Sequence, residues 1–363
     1  MILSKPMQGL LDKEWRHSRG YLLATLLLLI YAPVIKTIFY LLWSETGLMQ
    51  WGQELNYALH LGMGIRHPSS YTGIMEWLPF MSSTLLGIII LGEEQRGSLQ
   101  YLVSTPVSRR QIILAKFFPG AAAILLGMLI NTLFLMGLTW LYPMSFNGID
   151  VLNWALLAGS LCLACFTMAL MVATFTTGIL AAGAVVFLLG LLPGMFTSMI
   201  ENIAARYFAV SQSVSIHIYT IGSYFDLHDY ITRSERHITH IDHYANSVVT
   251  VITRTGHSGM VPDYLLESGL LLVGVLLFLA LAVIIFGRIS LLTGGSLFVS
   301  SSARKIGMGI LALCISYFLV FPRAETLLKF SIYLVILTGL GVKGTVLLTS
   351  LPPRKITWKA KVD

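Results

Sequence analysis

The stretch 151–200, VLNWALLAGSLCLACFTMALMVATFTTGILAAGAVVFLLGLLPGMFTSMI, contains no Asp, Glu, Lys or Arg. A helix needs about 20 apolar residues to cross the hydrocarbon core of a bilayer. The run is too long for one crossing and fits two, Trp154–Thr177 and Ile179–Ile200, joined by a tight turn near Thr176-Thr177-Gly178. The rest of the chain agrees. With 56% hydrophobic and 11% charged residues and a mean hydropathy of +0.77 over 363 residues, there is too little polar surface for a single water-soluble domain. Further apolar runs occupy Tyr21–Trp43, Tyr71–Gly92, Phe117–Leu141, Ser268–Gly287, Ile306–Phe321 and Leu328–Leu348. The sequence therefore predicts an all-α integral membrane protein of about eight transmembrane helices. Because Ile306–Phe321 is short and runs straight into Pro322, a six-span plan is the alternative.

Charge placement tests this map. With eight spans, Lys5, Lys13, Arg16 and Arg19, then Arg96, Arg109, Arg110 and Lys116, then Arg288, Arg304 and Lys305, and finally Arg354, Lys355, Lys359 and Lys361 fall on one side. That side holds fifteen of the 24 basic residues against five of the 17 acids. Basic flanks stay cytoplasmic, which predicts a multi-pass protein of the cell membrane with both termini inside. The net charge of +7 is then explained by flanks lying near anionic lipid, with no need for nucleic acid. Ahead of the first span, residues 1–20 read as a cytoplasmic amphipathic interfacial helix. Met7, Leu10, Leu11 and Trp15 share one face of it, largely opposite Asp12, Lys13, Arg16 and Arg19, with Trp15 at headgroup depth. No small-residue cleavage site follows the first apolar run, so that run reads as a retained anchor.

Between the second and third runs lies a compact charged segment, Glu93–Lys116, EEQRGSLQYLVSTPVSRRQIILAK. Two carboxylates and Arg96 precede Gly97, which can break a helix. Leu99, Leu102 and Val103 recur at helical spacing. A proline-led turn at Pro106 follows, and Arg109, Arg110 and Lys116 stand at the mouth of the next run. A short helix here, on the cytoplasmic side, would bury one face and offer the other to a partner; a generic basic loop is the plain reading. The order Glu93-Glu94, Arg96, Gly97, Leu99, then Pro106-Val107-Ser108-Arg109, then Lys116 resembles the segment between the second and third membrane helices of ABC-2 type transport permeases, with Ser98 where that family usually has Thr. The amphipathic N-terminal helix is similar too, and Phe286-Gly287-Arg288 looks like the family's Phe-Arg-Arg ending.

The resemblance covers residues 1 to about 290. It implies a six-helix core of 21–200 and 268–290, to which two C-terminal helices in 306–350 and a basic cytoplasmic tail, 351–363, are added. It also implies an ATP-driven transporter subunit working with two copies of a cytoplasmic ABC ATPase and a second permease chain, as a homodimer or with a related partner. No stretch matches G-x-x-x-x-G-K-[ST], the loop that cradles ATP phosphates, so no cofactor is expected on this chain, and ATP and Mg belong to the partner. As the ATPase-coupling set the sequence offers Glu93, Glu94, Arg96, Gly97, Leu99, Pro106, Arg109, Arg110 and Lys116. Within it, Glu94 and Arg96 make ion-pair contacts, Gly97 and Pro106 shape the turn, and Arg109, Arg110 and Lys116 meet a partner or lipid headgroups. So few charges in the spans favour a hydrophobic or amphipathic cargo, such as a peptide antibiotic, a drug or a lipid-like molecule, and the resemblance points to export. A sensor that signals through an ATPase without net transport is the alternative. An intramembrane protease is the rival class, but its Glu-Glu-x-x-x-Arg pattern fails at Arg96 and Ser98.

Residues 201–267 read as a small extracellular subdomain of mixed α/β character, with short strands at 213–219 and 247–253 and no cysteine. It carries six of the nine histidines. His237, His240 and His243 recur every third residue beside Asp242, an imidazole and carboxylate set of the kind zinc or copper takes, although polar external loops also collect histidines. Cys162 and Cys165 form a CxxC inside an apolar helix, where small packing residues are the plainer reading. Glu76 sits near the outer end of the second run, as an intramembrane functional acid or a solvated one. Gly183, Gly190 and Gly194 with Pro193 suggest close helix packing and a bend in the fifth span.

Overall fold

The computed structural model describes residues 5–43, 78–92, 107–142, 147–176, 178–208, 241–244, 247–250, 264–288 and 327–350, with short helical pieces between 309 and 320. In chain order the elements are α1 (Lys5–Ile30), a π-helical turn (Tyr31–Lys36), α2 (Thr37–Trp43), α3 (Leu78–Gly92), α4 (Arg109–Leu141), α5 (Gly148–Phe175), α6 (Ile179–Tyr207), the strands β1 (Ile241–Tyr244) and β2 (Ser247–Thr250), α7 (Tyr264–Arg288) and α8 (Leu327–Ser350). By length and composition α4, α5, α6 over Ile179–Ala204, and α7 can each cross a membrane. The bent pair Met7–Ile30 and Pro33–Phe39, inclined at 48°, makes a fifth span if it is counted as one. The eight-span expectation thus meets four or five helices of spanning length among the described residues. Leu78–Leu91 and the apolar part of α8, Lys329–Leu340, are shorter, and 306–321 lies largely outside the described residues.

The first half of the charge-free run, α5, becomes the axis of the bundle. Every residue of α5 from 157 to 174 is buried, as a helix apolar on all sides should be. Its hydroxyls are satisfied along the helix itself: Ser160 donates to Leu157 O, Thr167 to Leu163 O and Thr174 to Met171 O. Cys162 and Cys165 are free thiols buried here among Leu161, Ala164 and Phe166. α3, α4 and α7 pack against α5, and α1 lies on α4 and α3. The outward faces of α4 (Leu125, Leu129, Leu133) and α7 (Val273, Leu276, Leu277) are exposed apolar stripes. Water would not tolerate such a surface, whereas lipid would.

Glycines set the closest approaches. A Cβ on Gly87 of α3 would lie 2.4 Å from the Phe166 carbonyl oxygen, and one on Gly120 of α4 2.3 Å from Phe166 Cζ. Phe166 itself stacks on Phe117, ring centroids 6.0 Å apart. The glycines that the sequence marked on α6 behave otherwise, since an added Cβ at Gly183 or Gly190 meets nothing within 4 Å. Close packing within the chain is therefore made on α3 and α4, because those helices face α5 while α6 is largely uncovered.

Three boundaries differ from expectation, each for a local reason. The interfacial helix runs without a break into the start of the first span as α1, and the π-helical turn and α2 carry the rest of that span. Met7 and Leu10 are buried with Ile88, Leu91, Ile112 and Ile113, while Trp15 is 55% exposed. The bend between α1 and α2 falls in the π-helical turn at Pro33, which has no N–H for the Leu29 carbonyl; Asn131 of α4 donates to that carbonyl instead, Nδ2 to O at 3.1 Å. α5 starts at Gly148 rather than Trp154 because Asn147 and Asp150 cap it reciprocally, with Asn147 Oδ1 accepting from Asp150 N and Asp150 Oδ2 from Asn147 N. α4 starts at Arg109 rather than Phe117, for a reason that belongs to the site.

β1 and β2 pair antiparallel, Ile241 opposite Thr250 and Tyr244 opposite Ser247. β2 falls in the expected strand at 247–253, whereas 213–219, His237, His240 and Glu76 lie outside the described residues. Among the described residues no three His, Cys, Asp or Glu gather as metal ligands.

Candidate functional site

The site is the basic end of the bundle, where α3 stops at Gly92 and α4 starts at Arg109. Glu93, Glu94, Arg96, Gly97, Leu99 and Pro106 lie outside the described residues. Arg109, Arg110 and Lys116 lie within them, on the first two turns of α4.

Ser108 sets where α4 begins. Its Oγ accepts from Gln111 N at 3.3 Å, and Gln111 Oε1 accepts from Ser108 N at 2.9 Å. This reciprocal box satisfies two backbone donors that a helix start leaves open. The capped helix has 33 residues and is about 50 Å long, well beyond the roughly 30 Å hydrocarbon thickness. Its first turns therefore extend past the apolar slab.

Each basic residue of those turns meets a different fate. Arg109 Nη1 donates to the carbonyls of Phe286 at 3.1 Å and Gly287 at 3.4 Å. These are among the last carbonyls of α7, which lack helical partners and carry the negative end of its dipole. Arg110 is exposed. Lys116, expected at a partner or headgroup, has a fully buried side chain. Its Nζ donates to Glu14 Oε2 of α1 at 2.9 Å and to the Ile90 carbonyl of α3 at 2.9 Å. Ile90 lies in the last turn of α3, so Lys116 caps α3 as Arg109 caps α7. The Glu14 side chain is 2% exposed, and Lys13 Nζ stands 3.9 Å from its other oxygen.

A buried ammonium in apolar surroundings must be paired and hydrogen-bonded to be tolerated, and Glu14 with the Ile90 carbonyl meets that demand. Around the pair, Met7, Leu10, Ile88, Leu91, Ile112, Ala115, Ala282 and Phe286 form one apolar cluster. Both flanks of the 93–106 segment are thus anchored. α3 is tied through Lys116 to α4 and α1, and α4 through Arg109 to α7. Sequence reasoning named Ser108 only within the resemblance and missed its cap with Gln111, and it missed the role of Glu14. The S-x-x-Q spacing announced the cap, and Glu14 was marked by its place seven residues after Met7 and four after Leu10, on the apolar face of its helix and away from the exposed Asp12, Lys13 and Arg16.

No curated protein and no solved structure matches the chain. The family model described as ABC-2 family transporter protein matches residues 10–342, a span that takes in α1 from Leu10, every element of the basic junction and most of α8. The chain belongs to the ABC-2 family of membrane transport proteins.

Proposed function

We propose that this chain is the permease subunit of an ATP-driven transporter, moved by a separate cytoplasmic ABC ATPase that docks on residues 93–116. The observation that carries the reading is the anchoring of both flanks of that segment by Lys116 and Arg109. A push on the segment reaches α1, α3, α4 and α7 together because they share one buried ion pair and two helix caps. Coupling requires that the two conformations differ in their contacts at the docking segment, and a rigid, jointly capped junction passes such a difference on without absorbing it.

The bias of basic residues to this end supports a cytoplasmic placement of the junction and both termini, in the plasma membrane. On this reading the assembly holds two ATPase copies and two permease chains, with ATP and Mg on the ATPase. The core has six membrane helices, and the two C-terminal helices are additions. Exposed apolar stripes on α4, α6 and α7 with few charges in the spans support a hydrophobic or amphipathic cargo moved outward. The test is Glu94→Lys in the reconstituted complex. The expected result is strongly reduced ATP hydrolysis with normal membrane insertion; unchanged hydrolysis and transport would reject the docking assignment. Cargo that stimulates hydrolysis without crossing the bilayer would favour a sensor.

A further inference from the structure

We infer that the junction carries a built-in site for an anionic phospholipid, in the groove between the first turn of α4 and the last turns of α7. The groove has a volume of about 430 Å³ and is lined by Arg110, Ala280, Val283, Ile284, Gly287 and Arg288. Its floor is apolar and its rim carries two exposed guanidinium groups. Among the described residues neither Arg110 nor Arg288 has an acidic partner. Arg288 is not needed to cap its own helix, because Arg109 already donates to the Phe286 and Gly287 carbonyls.

The groove does not end at its rim. Residues 280, 284 and 287 share one face of α7, and that face continues through Val273, Leu276 and Leu277, 63%, 67% and 56% exposed, toward the middle of the helix. An occupant therefore meets cationic planes at one end and a long apolar stripe at the other. A free phosphate would use only the first feature and a neutral lipid only the second. A phosphodiester headgroup with an acyl chain uses both: guanidinium forks match phosphate oxygens in pairs, and the chain lies along the α7 stripe. The site stands directly beside the Arg109 cap, so a bound lipid would brace the α4–α7 joint. The inference rests on the membrane embedding of the bundle and not on the transport reading.

The test is native mass spectrometry of the full chain, with any co-purifying subunits, released from mild detergent supplemented with phosphatidylglycerol or phosphatidylcholine of equal chain length. Wild type is expected to retain phosphatidylglycerol in preference to phosphatidylcholine. R110Q/R288Q is expected to lower that retention by about 10- to 30-fold, while the charge-matched R16Q/R19Q on exposed α1 leaves it unchanged. I284W, which fills the groove and keeps both arginines, is expected to lower it as well. Size-exclusion profiles establish that each variant is folded. Equal loss in R16Q/R19Q, or full retention in I284W, would overturn the site in favour of general surface charge. Displacement of the lipid by millimolar inorganic phosphate would reduce it to a phosphate site and overturn the lipid assignment. Loss of a co-purifying subunit from R110Q/R288Q with lipid retention intact would make the groove a protein interface and overturn it equally.

Discussion

Removing Lys116 should be among the most damaging single changes outside the core of α5. Its side chain is 0% exposed and that of Glu14 2%, with Nζ and Oε2 2.9 Å apart. Lys116→Met keeps the apolar stem but leaves the buried Glu14 carboxylate with only the more distant, half-exposed Lys13, 3.9 Å from its other oxygen, and it frees the Ile90 carbonyl at the end of α3. Breaking a buried pair from one side costs about 3–5 kcal/mol, and an orphaned buried carbonyl alone accounts for about 1–3 kcal/mol of such a loss. Glu14→Leu should cost a similar amount by stranding the ammonium. The double variant Glu14→Leu/Lys116→Met removes both charges and fills the site with apolar atoms. It should recover at least about 2 kcal/mol of the summed single losses, as expected for residues in direct contact. The assay is equilibrium unfolding in mixed micelles titrated with sodium dodecyl sulfate, run as a double-mutant cycle. Additivity within about 0.5 kcal/mol, or a Lys116→Met variant as stable as wild type, would refute the buried pair as the clamp between α1, α3 and α4.

Two further predictions probe the surrounding structure. Gly87→Ala should destabilise the protein by about 1–3 kcal/mol, because the new Cβ lies 2.4 Å from the Phe166 carbonyl and 2.8 Å from Ala169 Cβ; Gly183→Ala, with open space around it, should stay within about 0.5 kcal/mol of wild type, both read as shifts in melting midpoint in detergent. Ser108→Ala should cost about 1 kcal/mol and raise amide hydrogen exchange over the first turn of α4 while leaving the centre of α5 protected, and unchanged exchange at Gln111 would mean that the cap does not set the helix start.

What could be read in advance follows from the range of the forces involved. The division of the charge-free run into α5 and α6 was legible, because membrane thickness limits helix length and Thr176-Thr177-Gly178 is the weak point near its middle. The start of α4 was legible in principle in Ser108 and Gln111, but a span reckoned by hydropathy begins at Phe117, after the last charge, and ignores the cap. The role of Lys116 was hidden. A lysine at the mouth of an apolar run reads as a side chain that extends toward headgroups, and its partner is 102 positions away. The close contact at Gly87 was equally silent, since one glycine in an apolar run says nothing about which carbonyl will lie against it. The bend after α1, at Pro33, went unread, and the donor that satisfies the freed Leu29 carbonyl sits on α4, again 102 positions distant. Local chemistry thus announced caps and breaks, whereas the pairings that assemble the junction exist only once the helices have packed.

The central claim, a permease driven through its basic junction by a separate motor, is tested most directly by affinity purification of the chain from its native membrane in mild detergent, with identification of co-purifying proteins and assay of ATP hydrolysis. The account predicts an ATP-hydrolysing partner that is retained by wild type and by Glu14→Leu/Lys116→Met and lost on Glu94→Lys. A chain that purifies with no ATPase, or one whose ATPase stays bound and fully active after charge reversal at Glu94, would contradict it.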